Sequence, residues 1–151
     1  MIRGVNLIGW QGADATSTDL IAANPSIEAI WIFAEGRWSA DAPVLPAALR
    51  PTIRLQPGLG LFIITNQATS LVVDREASSR ASSPVVNGLS LAGWLGTPIT
   101  SAPFLEFRPR IDSVWVLIDE VWFVDAPVLP AALRVELTLE PGTGFVIFIT
   151  L

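Results

Sequence analysis

The sequence predicts a mainly β fold, a barrel or sandwich with pseudo-twofold symmetry, built from two tandem repeats and carrying short helical turns. Three observations carry that expectation. The chain repeats itself at a fixed offset of 84 residues. Short apolar runs alternate with Gly and Pro turns. Apolar residues make up 51% of the 151 positions and charged residues 15%, ample apolar surface to offset chain entropy.

The repeat needs no gap. Gly4 to Ile64 aligns onto Gly88 to Phe148, and 26 of the 61 positions are identical. Among them are Gly9/Gly93, Trp10/Trp94, Trp31/Trp115 and Trp38/Trp122. The block Asp41-Ala-Pro-Val-Leu-Pro-Ala-Ala-Leu-Arg50 recurs unchanged as Asp125 to Arg134, and Pro57-Gly58-x-Gly60 recurs as Pro141-Gly142-x-Gly144. Repeat 1 therefore spans 1–65 and repeat 2 spans 88–151, with 66–87 as a Ser/Ala-rich linker that holds one apolar triplet, Leu71-Val72-Val73, suited to a short strand. Each copy alone, at about 60 residues, is near the lower limit for an independent core, so the two are expected to share one.

Within a copy, Val5 to Trp10 reads as a strand broken by Gly12. Ser17-Thr18-Asp19 supplies oxygens to cap a short helix, which ends at Asn24-Pro25; in copy two Pro103 occupies the first turn of the same element. Ile27 to Ala34 and Arg37 to Ala40 form a hairpin about Glu35-Gly36, which sets Phe33 opposite Trp38 and Ile32 opposite Ser39. The turn in copy two is Asp119-Glu120. Asp41 and Asp125 are placed to cap the Pro-rich loops that follow them and to pair with Arg50 and Arg134. Thr52 to Leu55 and Leu61 to Thr65 are the last strands of copy one, and copy two ends on the strand Gly144 to Leu151.

Val5-Asn6-Leu7-Ile8-Gly9-Trp10 with Gly58-Leu59-Gly60-Leu61-Phe62, and Leu89-Ser90-Leu91-Ala92-Gly93-Trp94 with Gly142-Thr143-Gly144-Phe145-Val146, resemble a tandem module of bacterial secreted and surface proteins. That module reads Gly-Trp-Asn-Leu-(Ile/Val)-Gly-Trp, then an aromatic hairpin, then Gly-x-Gly-Tyr-Trp-(Val/Ile). The present chain has Leu-Phe and Phe-Val where the module has Tyr-Trp. The resemblance implies an extracellular or cell-surface location and no reaction. Met1 to Trp10 does not itself read as a signal peptide.

Composition excludes several function classes. Cys, His, Lys and Tyr are absent, which removes the common zinc and copper ligands along with thiol, imidazole, Schiff-base and phenol chemistry. Asp, Glu, Ser, Thr and Arg remain for catalysis, with a carboxylate pair of the glycosidase kind possible in principle, and no enzyme and no cofactor are expected. A net charge of −5 and scattered Arg residues argue against nucleic acid. The longest uncharged stretch, Ala81 to Leu105, is interrupted by three prolines and predicts no membrane span. Each Gly-x-Gly leads into a strand and not a helix, so it reads as a turn and not a phosphate cradle. Asp119, Glu120 and Asp125 lack calcium-loop spacing and read as solvated turn acids.

Two features bear on function. The six Trp residues recur in matching pairs, which predicts packing in a shared core; the sharper alternative is stacking on sugar rings. The second feature is an asymmetry. On the hairpin face opposite the Trp residues, copy one carries Ile30, Ile32, Ala34, Arg37 and Ser39, whereas copy two carries Val114, Val116, Ile118, Val121 and Phe123 and is wholly apolar. A ribbon apolar on both faces must be covered on both. The expectation is a structural subunit that self-associates, as a homo-oligomer or fibre, through this face and through Phe145, Ile147 and Ile149 of the terminal strand added to a neighbour's sheet edge. The alternative is a carbohydrate-binding or adhesion module using exposed Trp.

Overall fold

The computed structural model describes residues 1–71 and 87–150. The fold is mainly β, with two four-stranded sheets and two short helices. Repeat 1 contributes strands β1 (Gly4–Gly9), β2 (Ala15–Thr16), β3 (Ile27–Ala34), β4 (Arg37–Asp41), β5 (Arg54–Leu55) and β6 (Gly60–Thr65), with helix α1 (Ser17–Ala23) after β2. Repeat 2 contributes β7 (Gly88–Gly93), β8 (Ile99–Thr100), β9 (Ser113–Ile118), β10 (Val121–Asp125), β11 (Thr138–Leu139) and β12 (Gly144–Ile149), with helix α2 (Ser101–Glu106) after β8. Each element of one repeat has its counterpart in the other at the sequence offset. Val72 and Val73, where a linker strand is expected, lie outside the described residues; Leu71 packs against the core of repeat 1.

The sheets run β1-β6-β3-β4 and β7-β12-β9-β10, all antiparallel. The chain-terminal strand β12 is therefore interior, hydrogen-bonded to β7 on one side and β9 on the other. This corrects the expectation that it adds to a neighbour's edge, because both of its backbone ladders are already filled. The hairpins form as the sequence requires: Phe33 pairs with Trp38, Ile32 with Ser39 and Val121 with Ile118. Glu35 and Gly36 both take positive φ, as do Asp119 and Glu120. That is the backbone twist a two-residue hairpin turn needs.

Helix α1 starts one residue earlier than the Ser17 cap predicts. Thr16 is the cap, its Oγ1 accepting from the Asp19 N–H at 3.1 Å. Ser17 is thereby free to serve the interior. Each helix covers one face of its own sheet. In repeat 1, Leu20 and Ile21 of α1, with Ile53, Leu55 and Trp10, close over Ile30, Ile32, Leu61 and Ile63. In repeat 2, Phe104 and Leu105 of α2, with Ile111, Leu137 and Leu139, close over Val114, Val116, Phe145, Ile147 and Ile149. Each repeat thus owns a core, in place of the single shared core expected from its size. Leu7, Ala29 and Leu91 are buried without belonging to either cluster, on sheet faces turned toward the other repeat.

The repeats are joined by reciprocal backbone contacts where the Gly-Trp and Pro-Gly-x-Gly motifs meet. The Gly9 N–H donates to the Gly142 carbonyl at 2.8 Å, and the Gly93 N–H donates to the Gly58 carbonyl at 2.7 Å. Ile8 bridges Thr143 and Leu59 bridges Ala92, again a matched pair. A Cβ on Gly9 would lie 2.6 Å from the Gly93 Cα, and one on Gly93 would lie 2.5 Å from the Gly9 Cα. No side chain fits there, so glycine is the residue that lets the two sheets meet backbone to backbone. The Gly-x-Gly segments are turns, as expected, and they also form the joint.

Candidate functional site

Trp10 and Trp94 follow the expectation of interior packing: Trp10 is buried in the core of repeat 1, and Trp94 is half-buried against that of repeat 2. The other four do not. Trp31, Trp38, Trp115 and Trp122 are between 39% and 48% exposed. They recur in pairs because they occupy the hairpin face directed away from each repeat's own core. Trp31 and Trp38 sit on β3 and β4, and Trp115 and Trp122 on β9 and β10, in alternation with the buried Ile30, Ile32, Val114 and Val116.

These rings join into a strip that crosses from one repeat to the other. Phe33 meets Trp38 edge-on at 5.1 Å between centroids, Trp38 lies 5.9 Å from Phe62, Phe62 meets Trp122 at 6.0 Å, and Trp122 meets Trp115 at 6.5 Å. The spacings are those of favourable aromatic pairs. Beside the strip lies a cleft of about 530 Å³. Trp38 and Phe62 of repeat 1 form one end, and Trp115, Trp122, Val146 and Phe148 of repeat 2 form most of its walls. Its polar groups are few. The Ser113 hydroxyl accepts from the Trp115 indole N–H at 2.9 Å, and the indole N–H groups of Trp38 and Trp122 have no acceptor among the described residues. Among the described residues that line it, the cleft offers ring faces and aliphatic contact with two indole donors, and no group suited to proton transfer.

The face expected to self-associate is placed differently. Val114, Val116, Phe145, Ile147 and Ile149 are core residues of repeat 2, and Phe123 packs against the same core. The cover comes from α2, Ile111, Leu137 and Leu139 of the same chain, which buries the first five of these side chains and half-covers Phe123. Only Ile118 and Val121, at the hairpin tip, are exposed. At that tip repeat 1 carries Ala34 and an Arg37 that pairs with Glu35 at 3.4 Å in solvent; deeper in, Ser39 stands where repeat 2 has the half-buried Phe123.

A second constellation recurs in both repeats and has the residue types of a catalytic site. The buried Asp41 carboxylate accepts from Ser17 Oγ at 2.7 Å and Arg50 Nε at 2.7 Å; Asp125 accepts from Ser101 Oγ at 2.6 Å and Arg134 Nε at 2.6 Å. Ser17 Oγ in turn accepts from the Ile53 N–H, and Ser101 Oγ from the Leu137 N–H, each at 3.0 Å. Burial pushes both Asp carboxyls up, but hydrogen bonds from Arg50 and Ser17 and from Arg134 and Ser101, with the adjacent guanidinium charges, outweigh it and hold both below the ordinary range. Both serines are wholly buried and their hydroxyls are occupied at both ends, so the cluster ties the helix start to the Pro-rich loop and reaches no substrate. The expected Asp–Arg pairs are present. The expected caps are not, and Asp125 is buried, not a solvated turn acid. Among the described residues no group of His, Cys, Asp or Glu could hold a metal ion, and no helix is long and apolar enough to cross a membrane.

The strip's crossing between repeats was not legible, because Phe62 and Trp122 lie on strands whose register says nothing of the other repeat. The exposure of the Trp face had a signal: the opposite face carries Ile30, Ile32, Val114 and Val116 along β3 and β9, residues that need no polar contact, whereas an indole N–H does better near water. No family model matches the chain, and neither the curated proteins nor the solved structures yield a match.

Proposed function

We propose that this chain is a non-catalytic structural subunit that associates with copies of itself, and that the aromatic cleft is the contact. The observation that carries the reading is the strip of half-exposed Trp residues that continues from one repeat into the other beside an almost wholly apolar cleft. A contiguous apolar patch of this kind is the type of surface that marks an interaction site. The two repeats act together in it as one pseudo-twofold sandwich, rather than a barrel, because each sheet has its own covered face and the sheets meet through their other faces. An extracellular or cell-surface assembly follows from the resemblance of the Gly-Trp motifs. Sedimentation velocity over a wide concentration range tests the proposal: the wild-type chain grows in mass with concentration, and Trp38→Ser/Trp122→Ser stays monomeric. A wild-type chain that remains monomeric at millimolar concentration refutes it.

Carbohydrate binding is the second reading, favoured by the half-exposed indoles with available N–H donors. It is weaker because sugar hydroxyls need several fixed polar partners and the cleft walls provide one serine, already engaged. A glycan array read alongside Trp fluorescence separates the two.

A further inference from the structure

The proposed self-association leaves open what fills the cleft, and the repeats themselves identify an occupant. Core positions have drifted between the copies: Leu20 has become Phe104, Ile30 Val114, and Leu61 Phe145. The ten residues Asp41–Arg50 and Asp125–Arg134 have not changed at all. Burial accounts for Asp41, Ala42, Asp125 and Ala126, which are interior, and in part for Leu45, Arg50, Leu129 and Arg134, which are half-buried. It does not account for the exposed apolar side chains, with Val44 86% and Val128 85% exposed, and Leu49 and Leu133 at 68% and 66%. An exposed Val or Leu contributes nothing to the core of its own chain, and free drift would replace it with polar residues as readily as not. Identical apolar residues held out to water at two equivalent places mark a contact made to something else.

The loops are also built to hold their shape. Each reads Pro-Val-Leu-Pro, and the second proline lies at φ −53° with ψ 139° in repeat 1 and 141° in repeat 2, near the polyproline conformation. Turn bonds brace the segment, from the Leu45 N–H to the Ala42 carbonyl at 3.0 Å and from the Leu49 N–H to the Pro46 carbonyl at 2.8 Å, with the same bonds at Leu129 and Leu133. The Asp41–Arg50 and Asp125–Arg134 ion pairs close the base of each loop. Little conformational entropy is left to lose on binding.

The geometry points to a second copy of this chain as the occupant: the Pro-Val-Leu-Pro loop of one molecule seats in the aromatic cleft of the next. The inference rests on the self-association proposed above and deepens it. A rigid proline-rich segment is the ligand that aromatic-lined grooves commonly take. Charge permits the meeting, since molecules that each carry −5 must join through surfaces free of net charge. None of the described residues that line the cleft is ionised, and the ion pair at each loop base cancels within itself. Loop and cleft are different surfaces, so the contact is heterologous and propagates head to tail.

Sedimentation velocity on four samples tests this. Wild type grows with concentration. Val44→Asp/Val128→Asp, altered only at exposed positions, stays monomeric, and so does the cleft variant Trp38→Ser/Trp122→Ser. An equimolar mixture of the two variants forms short complexes that stop growing, because the intact loops of one enter the intact cleft of the other. Assembly of the loop variant at the wild-type concentration overturns the inference while leaving self-association standing; a mixture that stays monomeric also overturns it. A monomeric wild type removes the underlying reading as well. Should the cleft variant fail to fold, the peptide Ala-Pro-Val-Leu-Pro-Ala-Ala-Leu added to wild type replaces it: dispersal of the assembly with a shift in Trp emission supports the contact, and no change in either refutes it.

Discussion

The two faces of the β9–β10 hairpin are almost equally apolar in sequence and have opposite fates. One carries Val114, Val116 and Phe123 into the core of repeat 2; the other holds Trp115 and Trp122 half in water. Hydrophobicity alone does not decide between them. What decides is the local cover: α2 and the segment Leu137–Leu139 belong to the same repeat and close over the aliphatic face. The other face looks toward the second repeat, and the sheets meet backbone to backbone where Gly9, Gly60, Gly93 and Gly144 let them approach. The four indoles lie outside that joint and stay half in water. A ribbon apolar on both sides thus signals that something must cover it. It does not say which side is covered from within the chain.

The sharpest way to break the comparison is a charge on each face. Val114→Asp buries a carboxylate with no cation prepared for it and is expected to cost more than about 4 kcal/mol, enough to unfold repeat 2. Val121→Asp, on the same side of the ribbon but at the exposed tip, should change stability by about 0.5 kcal/mol or less. Urea melts monitored by circular dichroism give both values. Equal losses would mean that the tip is as enclosed as the core. Next in size is the brace behind the hairpin. Asp125→Ala leaves the buried Ser101 hydroxyl without its acceptor and the half-exposed Arg134 without its partner, and should cost about 1–3 kcal/mol. The same change at Asp41 should cost a similar amount, since Ser17 and Arg50 lose the corresponding bonds and Thr18 one more.

Those aspartates also set a pH dependence. Their carboxyls lie below the ordinary value when folded, so the folded state holds its protons less tightly than the unfolded chain. The stabilisation is complete above the unfolded value of about 3.9 and is lost as pH falls through the lower folded values. Thermal melts between neutral pH and pH 2 should show the loss only below about pH 4, and Asp41→Asn/Asp125→Asn should flatten that limb. An unchanged acid limb in the variant would assign it to other carboxylates.

Much of this was readable before any coordinates. Twenty-six identities at one offset dictate that the repeats share a fold, and alternation with Gly-containing or acidic turns fixes the hairpin register to the residue. The Asp–Arg pairing was visible in the spacing within the unchanged block. The strand order was not, and so β12 looked like a free end when it lies between β7 and β9. Nor could period-two alternation tell which hairpin face is inner, because both are apolar in repeat 2. Ser17 was read as a cap for want of knowing that Asp41, 24 residues away, would meet its hydroxyl. Each miss concerns a contact between segments that sequence spacing does not relate.

The smallest expected effect is the most telling for the aromatic face. Trp122→Ser removes edge contacts with Phe62 and Trp115 and no core packing, so it should cost about 1 kcal/mol or less. Ile147→Ala, two strands away and facing the core, should cost about 2–5 kcal/mol through the cavity it leaves. Acrylamide quenching sharpens the same contrast without touching stability. In the monomer, Trp31, Trp38, Trp115 and Trp122 should be quenched and Trp10 protected. Under conditions where the chain associates, the accessible fraction should fall toward that of Trp10, because only the outward face has anything left to cover. Quenching that stays constant through association would place the contact elsewhere, and a Trp122→Ser loss as large as that of Ile147→Ala would make the aromatic strip part of the fold rather than a surface it presents.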